Sequence, residues 1–123
     1  MLKNITLALT LLLSVQLFAG NGDKVATAIQ NSNTTELANM FHSSIELVTP
    51  SVSNVYSKDQ AKVVLDNFFK QNEPTKASVS HETNGSNTSM IIIDLTTKTG
   101  SFRVTVVANT SGGGFVINQF KIQ

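Results

Sequence analysis

The chain has no cysteine and no tryptophan, and it has one tyrosine, two histidines and two prolines among its 123 residues. Without cysteine there are no disulfide bonds, thiolate nucleophiles or cysteine-ligated metals, so a domain this small must be stabilised by apolar packing. A zinc site takes about three protein ligands, and no pair of candidate ligands has ligand-like spacing. The sequence therefore predicts no metal site and no cofactor.

Charge is also sparse, because nine Lys and Arg residues stand against eight Asp and Glu residues. The cations are scattered singly along the chain. Proteins that bind nucleic acids concentrate basic residues in a patch or stripe. The charge pattern therefore argues against a nucleic-acid partner.

The most apolar stretch lies at the N terminus, where Lys3 precedes a leucine-rich run that ends at Ala19 and Gly20. An early cation, about a dozen apolar residues and a small residue at the exit are typical of a secretory signal peptide. A membrane anchor, the structural alternative, needs about 20 apolar residues, and polar residues interrupt this run too soon. We predict a signal peptide over residues 1–19 and one mature domain over residues 20–123. The mature protein is then periplasmic or secreted and free of the membrane.

Two helix starts carry capping signals. Glu36 follows Asn33 by three residues, and Gln60 follows Ser57 by three, which is the spacing of a reciprocal capping box. The helix after Ser57 is the clearest element, because its apolar residues recur at the spacing of one helical face. Those residues are Ala61, Val64, Leu65, Phe68 and Phe69. Before this helix, the alternation over residues 44–49 predicts a short strand.

From Thr75 onward the apolar period changes from 3.6 to 2, which predicts strands. Turn residues at 84–85, 100 and 111–114 divide this half of the chain into four strands, and their short connections imply an antiparallel order. The predicted fold class is α+β, with N-terminal helices packed on one face of a curved antiparallel sheet.

The middle strands carry bulky residues on both faces, so the outer face is too apolar to sit comfortably in water. We predict a homodimer through this face, with Ile92, Asp94, Arg103 and Val107 as its candidate residues. The alternative is that the sheet tolerates a few exposed β-branched residues. Asp94 shares strand parity with Ile92, which favours pairing with Arg103 on the outer face over a role as a buried acid or base inside the domain.

A helix ending in an aromatic residue, a short strand ending in Pro50, and a capped helix ending in the pair Phe68-Phe69 follow one another here. This order resembles the nuclear transport factor 2-like superfamily, a cone-shaped α+β fold shared with ketosteroid isomerase. The string ELVTP at 46–50, with VYSKDQA at 55–61 and the Phe pair, is similar to an uncharacterised family of exported bacterial proteins within that superfamily. The resemblance covers residues 21–123 and implies a conical cavity between helices and sheet.

The resemblance also provides a test for isomerase chemistry, which needs a carboxylate base and two buried acids. The position of the base, before the proline that ends the first strand, is Thr49 here. The helical Tyr aligns near Val25, and the oxyanion Asp aligns near Thr105 or Val106. Because none of these residues is an acid or a tyrosine, the sequence argues against the isomerase mechanism.

Four residues are candidates for lining the cone: Tyr56, Phe69, His81 and Phe102. His81 shares a strand face with Ala77 and Val79 by simple alternation, so it is either a pocket histidine or a satisfied structural one. Tyr56 either lines the pocket mouth or packs against the helix start.

The sequence thus predicts an exported, non-catalytic domain that binds a small apolar ligand in its cone or acts as an envelope protein-interaction module. The alternative is a lyase, isomerase or hydrolase with a non-standard constellation, such as His81 with Asp94 or Tyr56.

Overall fold

A computed structural model describes residues 20–123, in which three helices cover one face of a six-stranded sheet. The signal peptide predicted over residues 1–19 lies outside the described residues. The helices are α1 (Asn21–Gln30), α2 (Thr34–Met40) and α3 (Lys58–Gln71). The strands are β1 (Phe41–Val48), β2 (Ser53–Ser57), β3 (Pro74–Asn84), β4 (Thr88–Thr97), β5 (Gly100–Asn109) and β6 (Val116–Ile122).

The strand order across the sheet is β2-β1-β6-β5-β4-β3. Strands β3 to β6 form the predicted antiparallel meander. Strand β1, however, runs parallel to β6, so the sheet is mixed, and the prediction of a purely antiparallel sheet is wrong at this pair. Turn lengths predict how consecutive strands pair, but no turn joins β1 to β6, and the sequence carried no signal for their direction.

Strand β2 was absent from the prediction. Its five residues are mostly exposed, so it lacks the alternation of apolar and polar side chains that marks a half-buried strand. It is an edge strand that pairs antiparallel with β1. Main-chain pairing forms it, with little help from side-chain burial.

Helix α3 has the predicted capping box, since Gln60 N donates to Ser57 Oγ at 3.3 Å and Ser57 N donates to Gln60 Oε1 at 3.2 Å. At α2 only half of the predicted box forms. Glu36 N donates to Asn33 Oδ1 at 3.1 Å, whereas Asn33 N donates to the carbonyl of Ala28 at 2.7 Å. The tight connection from α1 uses the donor that the box would have needed.

The core lies between the helices and the concave face of the sheet. From α3, the residues Ala61, Leu65, Phe68 and Phe69 are buried, as the helical spacing predicts. The concave face contributes alternate residues of the strands. They are Ile45, Leu47, Ile91, Ile93, Leu95, Val104, Val106, Ala108, Phe120 and Ile122. None of the helices between residues 20 and 123 is long and apolar enough to cross a membrane.

Candidate functional site

The interior of the cone is occupied by aromatic side chains. Phe68 projects from α3 and meets the ring of Phe102 edge-on, with 5.3 Å between ring centroids, and Phe69 at 5.7 Å. Deeper in the core, the rings of Phe41 and Phe120 lie 5.7 Å apart. Edge-to-face pairs at these distances are favourable packing arrangements. These rings therefore take up space between helices and sheet that a small apolar ligand would otherwise use.

Three cavities among residues 20–123 open on the surface of the helical side. The largest, about 450 Å³, lies between the start of α2 and the end of α3. A second, about 360 Å³, lies between α1 and α2, and a third, about 190 Å³, lies beside the turn that follows β1. Each is bounded in part by polar or charged side chains, so none has the apolar lining expected of a cone-type ligand site.

The four pocket candidates do not line a common pocket. Phe69 is a buried core residue that also borders the 450 Å³ cavity, and the half-buried Phe102 packs against the core beside Phe68. Tyr56 is half-buried on β2, where it pairs with Ile45 and packs against the core. His81 lies on the other face of the sheet.

The prediction that His81 shares a face with Ala77 and Val79 is wrong. Val79 pairs with Ile93, but His81 pairs with Ile92, so the register shifts by one residue at Ser80. Such a β-bulge reverses the facing of every residue that follows it. His81 is exposed on the outer face, with its Nε2 2.9 Å from the hydroxyl of Thr83. The alternation of polar and apolar residues gave no sign of the bulge, because most residues of β3 are polar.

The constellations considered for catalysis are not assembled. Tyr56 is on β2 and His81 on β3, the two opposite edges of the sheet, with four strands between them. At about 4.8 Å per strand, no hydrogen bond can join them. Asp94 shares the outer face with His81. On β4, Asp94 lies two residues from Ile92, which is the partner of His81. Both side chains are exposed to water.

The residue at the position of the isomerase base has a structural role. Thr49 is buried, and its Oγ1 accepts hydrogen bonds from Ser51 N at 3.3 Å and Val52 N at 3.2 Å. This hydroxyl closes the turn between β1 and β2. At the other positions compared with the isomerase, Val25 and Val106 are apolar core residues and Thr105 is half-buried.

The outer face of the sheet carries all four residues predicted for a dimer face. Asp94 pairs directly with Arg103, and Met90 pairs with Val107. Ile92 lies between Asp94 and Met90 on the same strand face, and 41% of Met90 is exposed. The strand register thus places Asp94 on the outer face, as predicted. Dimerisation itself stays a prediction.

The remaining outer positions make this face amphipathic. Lys121 pairs with Thr105 and lies next to Val48, and Gln119 Nε2 donates to Glu46 Oε1 at 3.0 Å. We call the set Glu46, Met90, Ile92, Asp94, Arg103, Val107, Gln119 and Lys121 the outer patch. It combines an apolar centre with two acidic and two basic side chains.

A cluster that the sequence did not reveal surrounds Asp66 in the 450 Å³ cavity. The hydroxyl of Thr34 donates to Asp66 Oδ1, and Lys62 Nζ lies 3.2 Å from Oδ2. The Thr34 hydrogen bond, together with Lys62 and Lys70, lowers the pKa of Asp66 despite partial desolvation. The i,i+4 spacing of Lys62 and Asp66 was readable in the sequence, but the bond to Thr34 joins two helices. The Thr34 hydrogen bond therefore fastens α2 to α3, while Lys62 binds the other carboxylate oxygen from within α3.

The sequence comparisons agree with this geometry. A family model described as "Domain of unknown function (DUF4783)" matches residues 22–123. No curated protein matches the chain.

Solved structures show the same fold. A DUF4783 family protein from Bacteroides fragilis is 28% identical, with a TM-score of 0.75 over 85% of this chain and 97% of that one. Another from Bacteroides uniformis is 23% identical, with a TM-score of 0.78 over 85% and 96%. An NTF2-like protein from Cytophaga hutchinsonii is 17% identical, with a TM-score of 0.59 over 81% and 88%. The cone-shaped α+β architecture is therefore that of the nuclear transport factor 2-like (NTF2-like) proteins.

Proposed function

The chain belongs to the DUF4783 family within the NTF2-like superfamily, and we propose that it is an exported, non-catalytic interaction module that binds protein through the outer patch. Folds of this kind host unrelated activities, so the function must be argued from the surfaces of this chain.

The observation that carries the proposal is the filled cone. A ligand-binding member of such a fold needs an empty apolar cavity between helices and sheet. Here Phe68 occupies that space, with Phe69 and Phe102 against it. The interaction version of the sequence-based hypothesis therefore has better support than the version with a small apolar ligand.

The outer patch has the composition of a protein-binding surface. Met90, Ile92 and Val107 form an apolar group, with Asp94 and Arg103 at one end of it and Glu46 and Lys121 on the strands beside it. Apolar centres with polar rims are typical of protein–protein interfaces. The outer patch lies on four of the six strands. With strands about 4.8 Å apart, the whole outer face is roughly 24 Å wide, which matches the scale of interfaces that bury about 800 Å² per partner.

A second copy of the chain is the partner that the patch fits best. The patch carries Asp94 with Arg103 and Glu46 with Lys121, so its formal charges sum to zero. A two-fold axis places each residue of a patch against the same patch of the partner. A neutral patch with both signs can then satisfy its own charges across the axis, whereas a patch of one sign would repel its copy.

Export rests on the N-terminal segment described in the sequence analysis. The apolar run and the small residues at its exit support cleavage after Ala19 and a periplasmic or secreted mature chain. Export also fits a domain without cysteine, because its stability does not depend on the redox state of its surroundings.

The first test is native mass spectrometry of the mature protein, purified gently from the exported fraction. We expect a dimer at micromolar concentration whose mass equals two processed chains with nothing added. A reproducible additional mass would instead identify a ligand-binding cone. A monomer at all concentrations would reject the second copy as partner and direct the search to other proteins.

A further inference from the structure

The sheet ends at two edge strands, β2 and β3, each of which has a partner strand on one side only. The main-chain N–H and C=O groups on the free side of an edge strand are a template for pairing with another chain. On β2 this template carries an apolar side chain, because 62% of Val55 is exposed. The partners of the free donors therefore decide whether another strand can extend the sheet.

On β2 the free donors belong to Ser53, Val55 and Ser57. Thr49 N donates to the carbonyl of Val52 at 2.8 Å, which makes these two residues a hydrogen-bonded pair of the ladder between β1 and β2. In an antiparallel ladder such pairs alternate with pairs that exchange no hydrogen bond. The even-numbered residues of β2 therefore bond to β1, and the odd-numbered residues direct their main-chain groups to the free edge.

Side chains of the protein itself occupy two of these three donors. Val55 N donates to Asn54 Oδ1 at 2.8 Å, and Ser57 N donates to Gln60 Oε1 at 3.2 Å. The second bond also belongs to the capping box of α3, so the start of this helix closes the end of the strand. A side-chain amide oxygen takes the place here that the carbonyl of an added strand would otherwise take.

The opposite edge of the sheet has the same kind of closure. On β3, Ala77 N donates at 2.9 Å to Oε1 of Gln30, the last residue of α1. The register of β3 also shifts twice, once before Lys76 and once before His81, and such bulges interrupt the regular main-chain pattern that an added strand needs. A side-chain amide oxygen thus binds a main-chain donor at both edges of the sheet.

We infer that Asn54, Gln60 and Gln30 close the two edges of the sheet against strand addition, so that another chain, including a second copy, does not pair with β2 or β3. This inference goes beyond the proposed function, and it holds whether or not the outer patch binds a second copy. Where the outer patch does bind, the closed edges restrict the complex to contact through the face of the sheet.

The variant Asn54→Val tests the inference, because it removes the acceptor of Val55 N and favours an extended strand. Asn54→Asp is the conservative variant, since a carboxylate oxygen can accept the same hydrogen bond. Asn118→Val is the matched control, because it makes the same change at an exposed residue of β6, which has strands on both sides. Each variant is made in the mature protein with and without Arg103→Glu, so that association through an edge is measured separately from association through the outer patch.

In the Arg103→Glu background, we expect Asn54→Val to self-associate at least about ten times more tightly than Asn54→Asp or Asn118→Val, as measured by analytical ultracentrifugation. In dilute solution, the amide of Val55 should exchange with solvent at least about five times faster in Asn54→Val than in the unmodified chain, and this exchange should slow at high concentration as edges pair. No gain in association for Asn54→Val, an equal gain for Asn118→Val, or an unchanged exchange rate at Val55 would overturn the inference.

Discussion

His81 lies directly opposite Ile92 on the outer face of the sheet, because Ser80 is an extra residue in the pairing of β3 with β4. The bulge decides which residues of β3 reach the core. It also interrupts an 11-residue edge strand, and bulges of this kind protect edge strands from pairing with other chains. One residue thus moves a histidine from the predicted pocket to the surface.

Deletion of Ser80 should remove the bulge and leave the facing of the strand unchanged. Because Ser80 is the extra residue, Val79 would stay opposite Ile93 and His81 would stay opposite Ile92 after the deletion. We expect the free energy of unfolding to change by about 1 kcal/mol or less, since no core residue changes its surroundings. Urea titration followed by circular dichroism measures this change. The control is Ser80→Ala, which keeps the bulge and removes the hydrogen bond from Ser80 Oγ to the Ile92 carbonyl. A loss of about 3 kcal/mol or more for the deletion alone would contradict Ser80 as the extra residue.

Replacement of Phe68 by alanine should open the cone. Phe68 is buried and contacts two other aromatic rings, and Phe→Ala changes in cores cost about 3–5 kcal/mol. Val63→Ala is the matched control, because Val63 lies on the same helix with 57% exposure and should change stability by less than about 0.5 kcal/mol. If the Phe68→Ala variant folds, it should also bind a small apolar probe that the unmodified protein does not bind. A small loss of stability would show that the cone is not closed by this ring.

Charge reversal in the outer patch tests the proposed dimer. Arg103→Glu replaces a cation of the outer patch with an anion, so the formal charge of the patch changes from zero to −2 and two copies of the patch repel each other across the axis. We expect a dissociation constant at least ten times higher by analytical ultracentrifugation. The double variant Asp94→Lys with Arg103→Glu restores opposite charges and should recover most of the affinity.

The control for that experiment is Lys58→Glu, an exposed change at the start of α3 and away from the outer patch. It should leave the dissociation constant unchanged. If Arg103→Glu also has no effect on assembly, the outer patch is not the interface.

The Asp66 cluster should make stability depend on pH. The pKa of Asp66 is lower in the folded protein, chiefly through the Thr34 hydrogen bond, so the ionised carboxylate stabilises the fold above the unfolded pKa near 4. That contribution is lost as the pH falls through the folded pKa. We expect Thr34→Val to cost about 1 kcal/mol at pH 7 and less at pH 3. Urea titrations at both pH values test this, with the exposed Thr35→Val as control; an equal cost at both would reject the linkage.

Much of the fold was predictable because it is encoded in local patterns. The capping box of Ser57 and Gln60, the apolar face of α3 and the turns around Gly85 and Gly100 all depend on residues close in sequence. The outward parity of Asp94 was also correct, since no bulge interrupts β4 and β5 over that pair. Local hydrogen bonds and periodic burial carry this information.

The candidate site was predictable only in part. The outer face was identified because Ile92 and Val107 break the expected polar alternation. The packing of rings inside the cone was not predictable, because the spacing of Phe68 and Phe102 in the sequence does not say whether their rings meet. The hydrogen bond between Thr34 and Asp66 joins two helices and has no signal in the sequence. Only the i,i+4 spacing of Lys62 and Asp66 was readable there.

The sequence by itself determined the starts of α2 and α3 and the four-stranded meander, because each follows from residue type and near-neighbour spacing. Only the tertiary structure decided the parallel pairing of β1 with β6, the bulge at Ser80 and the closure of the cone. These depend on contacts between residues far apart in the chain, where register and packing are chosen by the whole core and no local pattern specifies them.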